Sequence, residues 1–510
     1  MMVKGRPADE PSVTAQRPIE RLRGMDDLLP AAARPMQRAL TILSALAEAH
    51  GYQPVDVPLL EPAELFLRKS GEALASKLYA FTSRGREVCV RPEFTASVGR
   101  LFVEHLQNAP LPQRLYYYGP VLRHEKPQRG KRRQSLQWGL ELIGVGGALA
   151  DAEIIMTACE GLDALGIAGY RVVLGHIGAT LQMLSQLKLD RRARHFLLVN
   201  LENLSRPDRG AAYVEARLAE LFPERSRPGG APACLTAGAD REEARRILVL
   251  LLEQVEANLE VGLRPADEVI EGILDQMARA DQVPLIRQAL ALVEELAGMS
   301  GPPAQALPAA AALLARHSLS PEPLRELERV VALLRQAGLP EERLMVNLGF
   351  GRGLHYYTGM VFEIFADEPA AAGQPLCGGG RYDDLLTALG ARRKTPACGF
   401  SYWVGRLAEC LPPAGDSPPA EVLLGATTPE AEGAALRLAR QMRAAGRRVE
   451  LDLRGRSGAQ HAARAGIRYV LTVSEAGERG VVGRLRDRHS GAETELDEAG
   501  LLRWAASRLE

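Results

Sequence analysis

The strand-like segments of this chain fall into two groups with a long helical stretch between them, and no other feature limits the fold as strongly. Short runs rich in β-formers occur at Lys77–Phe81, Val88–Val90, Leu115–Leu122 and Gly139–Ile143. They return at Leu344–Leu348, Met360–Phe365 and Ala397–Ser401. From Asp151 the character changes: a helix at Ala152–Leu165 and a strand at Tyr170–Leu174 lead into mostly helical, Ala/Leu/Glu/Arg-rich sequence up to Leu339. In the first group the runs are joined by turns and one helix (Thr95–Leu106), which predicts antiparallel pairing and not a βαβ alternation. One sheet interrupted by a helical insertion accommodates both groups, giving an α+β fold.

The flanks divide more simply. Residues 1–18 are polar and proline-punctuated, which reads as a disordered tail. Order is expected from Gly24 onward, with Pro30 opening a helix that carries Met36, Leu40, Leu43, Leu46 and Ala47 at helical spacing as far as His50. Tyr52–Leu60 reads as a strand, and Pro54 and Pro58 point to an edge or interface strand and not a central one. The expected divisions are a core from 19 to 150, a helical insertion from 151 to 340, the rest of the core from 341 to 411, a linker at 412–419 and a small α/β domain from 420 to 510. The linker is read from its Pro-Pro-Ala-Gly-Asp-Ser-Pro-Pro composition. The loop-like Phe222–Asp240 breaks the insertion.

Composition excludes more than it identifies. The 510 residues are 46% apolar and 25% charged, the balance of a globular protein with several cores. Formal net charge is zero, so bulk charge gives no support to a nucleic-acid partner. The six cysteines show no CxxC or metal-ligand spacing and read as reduced thiols. No apolar run is long enough to span a bilayer, and the N-terminal residues lack an apolar secretion core, so a cytoplasmic location is expected.

Four segments concentrate polar side chains beside glycines and aromatic residues. They are Arg91-Pro92-Glu93-Phe94-Thr95; Arg123-His124-Glu125 running on to Gln137 and Glu141; Gly351-Arg352-Gly353-Leu354-His355-Tyr356-Tyr357; and Cys377-Gly378-Gly379-Gly380-Arg381-Tyr382-Asp383. Each alone has an ordinary explanation. Glu93 could be a helix N-terminal charge, Arg123 with Glu125 a cross-strand ion pair, and the Gly triplet a bulge or turn. Their combination and order are far more specific.

Together the four segments resemble the signature blocks of the histidine–tRNA ligase family, over roughly residues 20–160 and 340–510. The run Val449–Ser457 is similar to that family's anticodon-binding domain. The resemblance implies a class II synthetase-like antiparallel core with a helical insertion and an anticodon-binding-like C-terminal α/β domain. It also implies a homodimer formed around Pro58. It assigns Glu93, Thr95 and Gln137 to a ligand ammonium group and Arg352 to its carboxylate. Glu141 and Tyr357 would meet an imidazole, with Tyr356 and Tyr382 as walls. Such a site suits histidine physically, because the neutral ring offers one donor and one acceptor and leaving either unpaired costs about 1–3 kcal/mol.

The nucleotide side departs from that family. Arg123 and Arg406 match the arginines that clamp its triphosphate, and Glu125 is placed with them in the residual nucleotide site. Its adenine-stacking phenylalanine is Ser135 here, the adjacent histidine is Leu136, and Trp403 replaces a glycine. His355 stands where an aspartate is usual. A second family, the regulatory subunit of ATP phosphoribosyltransferase, is resembled more closely at Gly139–Gly144, at Leu174-Gly175-His176-Ile177-Gly178, and in lacking the Phe-His pair. It generally lacks the C-terminal domain. From Pro413 onward that domain carries fifteen arginines, no lysines and fourteen acidic residues, a difference of +1 and no strong phosphate-binding footprint. The expectation is a histidine-binding regulatory subunit working with a short catalytic phosphoribosyltransferase chain, requiring no cofactor and no metal. The alternative is a divergent histidine–tRNA ligase, using ATP and Mg²⁺ and acting on tRNA, with Arg352 as its catalytic arginine.

Overall fold

The computed structural model describes residues 19–68, 76–125, 132–187, 189, 191–204, 209–221, 241–255, 285–350, 356–367, 373–411, 420–453, 458–475 and 481–507. Outside them lie the expected tail, the 222–240 loop, the linker, Arg352 and His355. The chain forms two compact units that divide at Pro412/Pro413.

The first unit is built on a nine-stranded sheet in the order β1-β5-β6-β12-β11-β10-β7-β9-β8. These strands are β1 (Gln53–Pro54), β5 (Gln113–Leu122), β6 (Gln134–Ile143), β7 (Tyr170–His176), β8 (Ser300–Gly301), β9 (Leu344–Asn347), β10 (Met360–Ala366), β11 (Cys377–Arg381) and β12 (Ala397–Trp403). From β5 through β7 every pairing is antiparallel; only β1 with β5 and β7 with β9 run parallel. Beside it, β2 (Leu60–Pro62), β3 (Tyr79–Ser83) and β4 (Arg86–Val90) form a three-stranded sheet.

The single strand expected over Tyr52–Leu60 is instead two short edge strands, β1 and β2, in different sheets. Pro54 and Pro58 carry no backbone N–H, so a continuous ladder cannot form there. The helix expected over Thr95–Leu106 is α-helical only over Thr95–Leu101 and widens to a π turn at Phe102–Leu106.

The long stretch between the strand groups is only partly an insertion. Strand β7 lies inside the sheet between β10 and β9, so residues read as leading into the insertion are core. We label α1 Pro30–Ala49, α2 Thr95–Leu101, α3 Ala148–Ala164, α4 Ile177–Ser185, α5 Pro303–Arg316, α6 Arg325–Gln336 and α7 Val404–Cys410. Leu43 of α1, Leu162 of α3, Leu313 of α5 and Leu327 and Val331 of α6 share one buried cluster with Phe362 and Phe400 of the sheet. Leu327, Val330, Val331 and Leu334 make the buried stripe of α6 at helical spacing. A separate core of Phe196, Leu197, Val214, Leu218, Ile286 and Val293 unites the helices nearer the middle of the stretch. Helical periodicity reads the same whether a helix packs on the sheet or on its neighbours, so the boundary was not in the pattern.

The second unit has a five-stranded sheet in the order β14-β13-β15-β16-β17: β13 (Val422–Ala426), β14 (Val449–Leu451), β15 (Tyr469–Glu475), β16 (Val481–Asp487) and β17 (Glu493–Asp497). Pairing is parallel on both sides of β13 and antiparallel beyond β15, an α/β unit closed by the helices Glu432–Ala444 and Glu498–Ala506. Among the described residues no helix is long and apolar enough to cross a membrane, and no cluster of His, Cys, Asp and Glu could hold a metal ion.

The glycine triplet is neither a bulge nor a turn. It lies in β11, in register with β10 and β12. Opposite it, Gly399 of β12 faces Glu141 of β6, and a Cβ there would run into the Glu141 carboxylate and the Leu140 carbonyl. Gly399→Ala is therefore expected to destabilise the first unit by about 2 kcal/mol or more, on the scale of overpacked cores, measured as a fall in its urea-unfolding midpoint.

Candidate functional site

Alternation along paired strands determines which side chains share a face. On β6, Trp138, Leu140 and Leu142 enter the main core, which leaves Gln137, Gly139 and Glu141 on the other side. Register then places Tyr117 of β5 opposite Gly139. It also places Gly399, Ser401 and Trp403 of β12 opposite Glu141, Gly139 and Gln137. One face therefore carries Tyr117, Gln137, Glu141 and Trp403 over a glycine floor. Gly139 leaves room for the Tyr117 ring, and at Gly380 a Cβ would meet the Tyr357 ring at 2.9 Å.

Glu141 is the hub. Its Oε1 accepts from Thr95 Oγ1 at 2.8 Å and from the Tyr117 hydroxyl at 2.9 Å, and its Oε2 accepts from the Tyr382 hydroxyl. The group is 1% exposed. Burial pushes its carboxyl up to about 7, while the three hydroxyl bonds act in the opposite direction. Glu93 is buried beside it, accepting from the backbone N–H groups of Thr95 (2.6 Å) and Ala96 (3.0 Å) at the start of α2. Burial raises its carboxyl too, opposed by the Ala96 bond and then by the Arg123 charge. Tyr356 and Tyr357 are tilted against each other at 4.7 Å, and Tyr356 meets Tyr382 edge-on at 6.0 Å. Gln137 is buried on the same face.

The expected residues Glu93, Thr95, Gln137, Glu141, Tyr356, Tyr357 and Tyr382 thus come together from segments far apart in sequence, while Arg352 lies outside the described residues. Tyr117 was not expected. Its only signal is the Tyr116-Tyr117-Tyr118 run, where alternation puts the middle ring on the Glu141 face. Phe94 stacks on it at 4.4 Å and 12°, and the Arg91 guanidinium covers Phe94 at 4.0 Å.

Trp403 ends β12 on this same face, with two arginines against it. The guanidinium carbons of Arg123 and Arg406 lie 5.1 and 4.9 Å from the indole centre, within cation–π range. Arg123 Nε also donates to Pro92 O at 2.9 Å, and Arg406 Nη1 to Pro375 O at 2.5 Å. Burial lowers Arg406 to about 10, with Glu363 opposing and Arg123 reinforcing. Glu125 pairs with Lys77 at 3.0 Å. Ser135 is half-buried near the start of β6, and Leu136 packs against the main core.

The raised carboxyl has a pH consequence. Between its ordinary 4.5 and about 7, Glu141 holds a proton in the folded chain that it releases on unfolding. That stability is present in full below the unfolded value and is lost as pH rises through about 7. Relative to Glu141→Gln, the wild type should lose on the order of 2 kcal/mol between pH 5 and pH 8, measured by urea unfolding of both proteins at each pH.

Known proteins share this architecture. The family profile described as Histidyl-tRNA synthetase matches residues 24–224 and 267–407. A histidine–tRNA ligase of Archaeoglobus fulgidus is 30% identical over 460 residues, spanning 89% of this chain and 91% of that protein. An ATP phosphoribosyltransferase regulatory subunit of Moorella thermoacetica is 33% identical over 454 residues, spanning 88% of this chain and 96% of its own length. A crystal structure from Bacillus halodurans, described as an ATP phosphoribosyltransferase regulatory subunit/histidyl-tRNA synthetase, superposes with a TM-score of 0.62 at 22% identity, covering 89% of this chain and 97% of that one. Both kinds of relative span nearly the whole chain and meet the same class II core with its C-terminal domain: the chain belongs to the histidyl-tRNA synthetase-like family.

Proposed function

We propose that this chain is a histidine-binding regulatory subunit of ATP phosphoribosyltransferase, acting with a short catalytic chain at the first step of histidine biosynthesis. The observation that carries the reading is the contrast on one sheet face. The polar hub around Glu141 is fully assembled, whereas Trp403 covers the far end of the face and engages both arginines that a nucleotide triphosphate would need.

In this reading the ligand imidazole donates to Glu141 and meets Tyr357, between the rings of Tyr356 and Tyr382. Its ammonium group sits near Glu93, Thr95 and Gln137, and its carboxylate pairs with Arg352. The pocket excludes other amino acids because they leave a buried partner of the hub unmatched. Histidine regulates the complex only if it binds two states of it with different affinity. No cofactor is required for that role, and a homodimeric core in the cytoplasm fits it.

The competing reading is a divergent histidine–tRNA ligase, using ATP and Mg²⁺ on tRNA. It is favoured by the identity to the archaeal ligase over 89% of the chain and by the presence of the C-terminal α/β unit. Within that unit Arg447 and Arg448 pair with Glu421, Arg468 with Asp487 and Arg486 with Glu493. Internal pairing of these arginines weakens the case for a phosphate-binding surface there.

Calorimetry on the purified chain is expected to show L-histidine binding that Glu141→Ala weakens about 10- to 100-fold, the loss of a hydrogen bond to a charged group. Histidine-dependent pyrophosphate–ATP exchange at ligase rates would overturn the regulatory reading. Trp403→Gly combined with Ser135→Phe is expected to raise ATP affinity by about tenfold or more, on the scale of one base–aromatic stack, checked by equilibrium dialysis. No gain in ATP affinity would refute the account of Trp403.

A further inference from the structure

Behind the tyrosine wall lies a buried charged network that the pocket itself does not use. Arg381, 3% exposed, donates through Nε to Asp151 Oδ1 at 2.8 Å, with Nη2 2.6 Å from the same oxygen. Its Nη1 reaches Asp383 Oδ1 at 3.0 Å and the Val145 carbonyl at 3.3 Å. Asp383 in turn accepts from the Ala397 N–H, and its own N–H donates to Thr358 Oγ1. The Arg381 carbonyl accepts from the Thr358 N–H at 2.8 Å. One guanidinium therefore organises the backbone on both sides of the site, next to Tyr382 and next to Tyr356-Tyr357. Gly359 has no side chain because the Arg381 stem occupies that space, 2.9 Å from where a Cβ would stand.

Asp151 is completely buried on α3, and its second oxygen, Oδ2, has no hydrogen-bond partner among the described residues. Burial raises its carboxyl and the Arg381 charge opposes that. His176 adjoins the same centre through its neighbour Ile177, whose N–H donates to the Gly359 carbonyl at 2.9 Å beside the Arg381 stem. His176 ends β7 and caps α4: its Nδ1 accepts from the Ala179 N–H at 2.8 Å. An accepting Nδ1 puts the proton of the neutral ring on Nε2. That atom is buried, lies 3.4 Å from Glu326 Oε2, and is not aligned for a full hydrogen bond. Glu326 belongs to α6, the amphipathic helix packed along α3, and its side chain is 41% exposed. Around this junction α3 contributes Asp151, β7 contributes His176, β11 with its following turn contributes Arg381 and Asp383, and α6 contributes Glu326.

We propose that the Arg381–Asp151 pair is the positioning centre of the tyrosine wall and that His176 and Glu326 tie it to helix α6, so that filling the pocket is transmitted to that helix. The proposal rests on the histidine reading above and extends it by naming the output of the site. Charges held in low dielectric couple strongly, so a displacement of one member of the network is felt by the others. Tyr382 is one residue from Arg381 and bonded to Glu141, so a ligand that displaces its hydroxyl loads the same centre.

The test is hydrogen–deuterium exchange by mass spectrometry on the full chain with and without L-histidine, in wild type and in Glu326→Gln, alongside calorimetry. Histidine is expected to slow exchange by about fivefold or more both in Gln134–Ile143 and in Arg325–Gln336 of the wild type. Glu326→Gln should keep the Gln134–Ile143 protection, with a Kd within about twofold of wild type, and lose the Arg325–Gln336 response. Arg381→Lys, which keeps the charge but not the planar fork, should weaken histidine binding about tenfold. Protection of the pocket strand without any change in α6, or an α6 response that survives Glu326→Gln, overturns the link. An affinity of Arg381→Lys within about twofold of wild type overturns the positioning role. If histidine protects neither segment in the wild type, the histidine reading itself fails and the proposal falls with it.

Discussion

A carboxylate inside a β-sheet is the constraint on which the rest of this structure depends. Glu141 projects from the middle of β6 and is almost completely buried, and burying such a group unmatched would cost several kcal/mol. Three hydroxyls from Thr95, Tyr117 and Tyr382 offset that cost, and each arrives from a different part of the chain. The carboxylate also needs room, which Gly399 supplies across the ladder. Gly399 and the placement of Tyr117 and Tyr382 together keep this one group both buried and satisfied.

The two ends of the same face differ in chemistry. At one end the hub is complete and its partners are neutral hydroxyls. At the other end two guanidiniums rest against an indole. An arginine on an aromatic face is weakly hydrated and geometrically content, so moving it onto a phosphate means giving up that contact. Sheet and register are common to both ends; a side chain at the last position of β12 makes the difference between them.

Much of the fold was legible because its signals are local. The prolines at 54 and 58 marked an edge, the amphipathic stripe of α1 was plain, and the C-terminal alternation of strands and helices gave an α/β unit. Where the reading erred, the deciding physics was non-local. The run 151–340 is mostly helical in its periodicity, but periodicity shows that a helix has an apolar face and not what covers it. Only the sheet order reveals that β7 is an interior strand and that α6 packs on the core. Tyr117 escaped notice because three consecutive tyrosines give no hint of which one faces a carboxylate. His176 stood out as a motif, but its link to Glu326 spans 150 positions of sequence.

By itself the sequence determined the chemistry available: an acid-and-tyrosine set with glycine-rich strands, two arginines in separate segments, a tryptophan, and neutral overall charge. These follow from residue identity and short-range order, which one dimension contains. The tertiary structure decided which of those groups meet. It put three hydroxyls on one carboxylate, laid Trp403 against Arg123 and Arg406, and joined Arg381 of β11 to Asp151 of α3 in a buried ion pair. Strand register and sheet order carry that information, and both are set by packing between segments far apart in the chain.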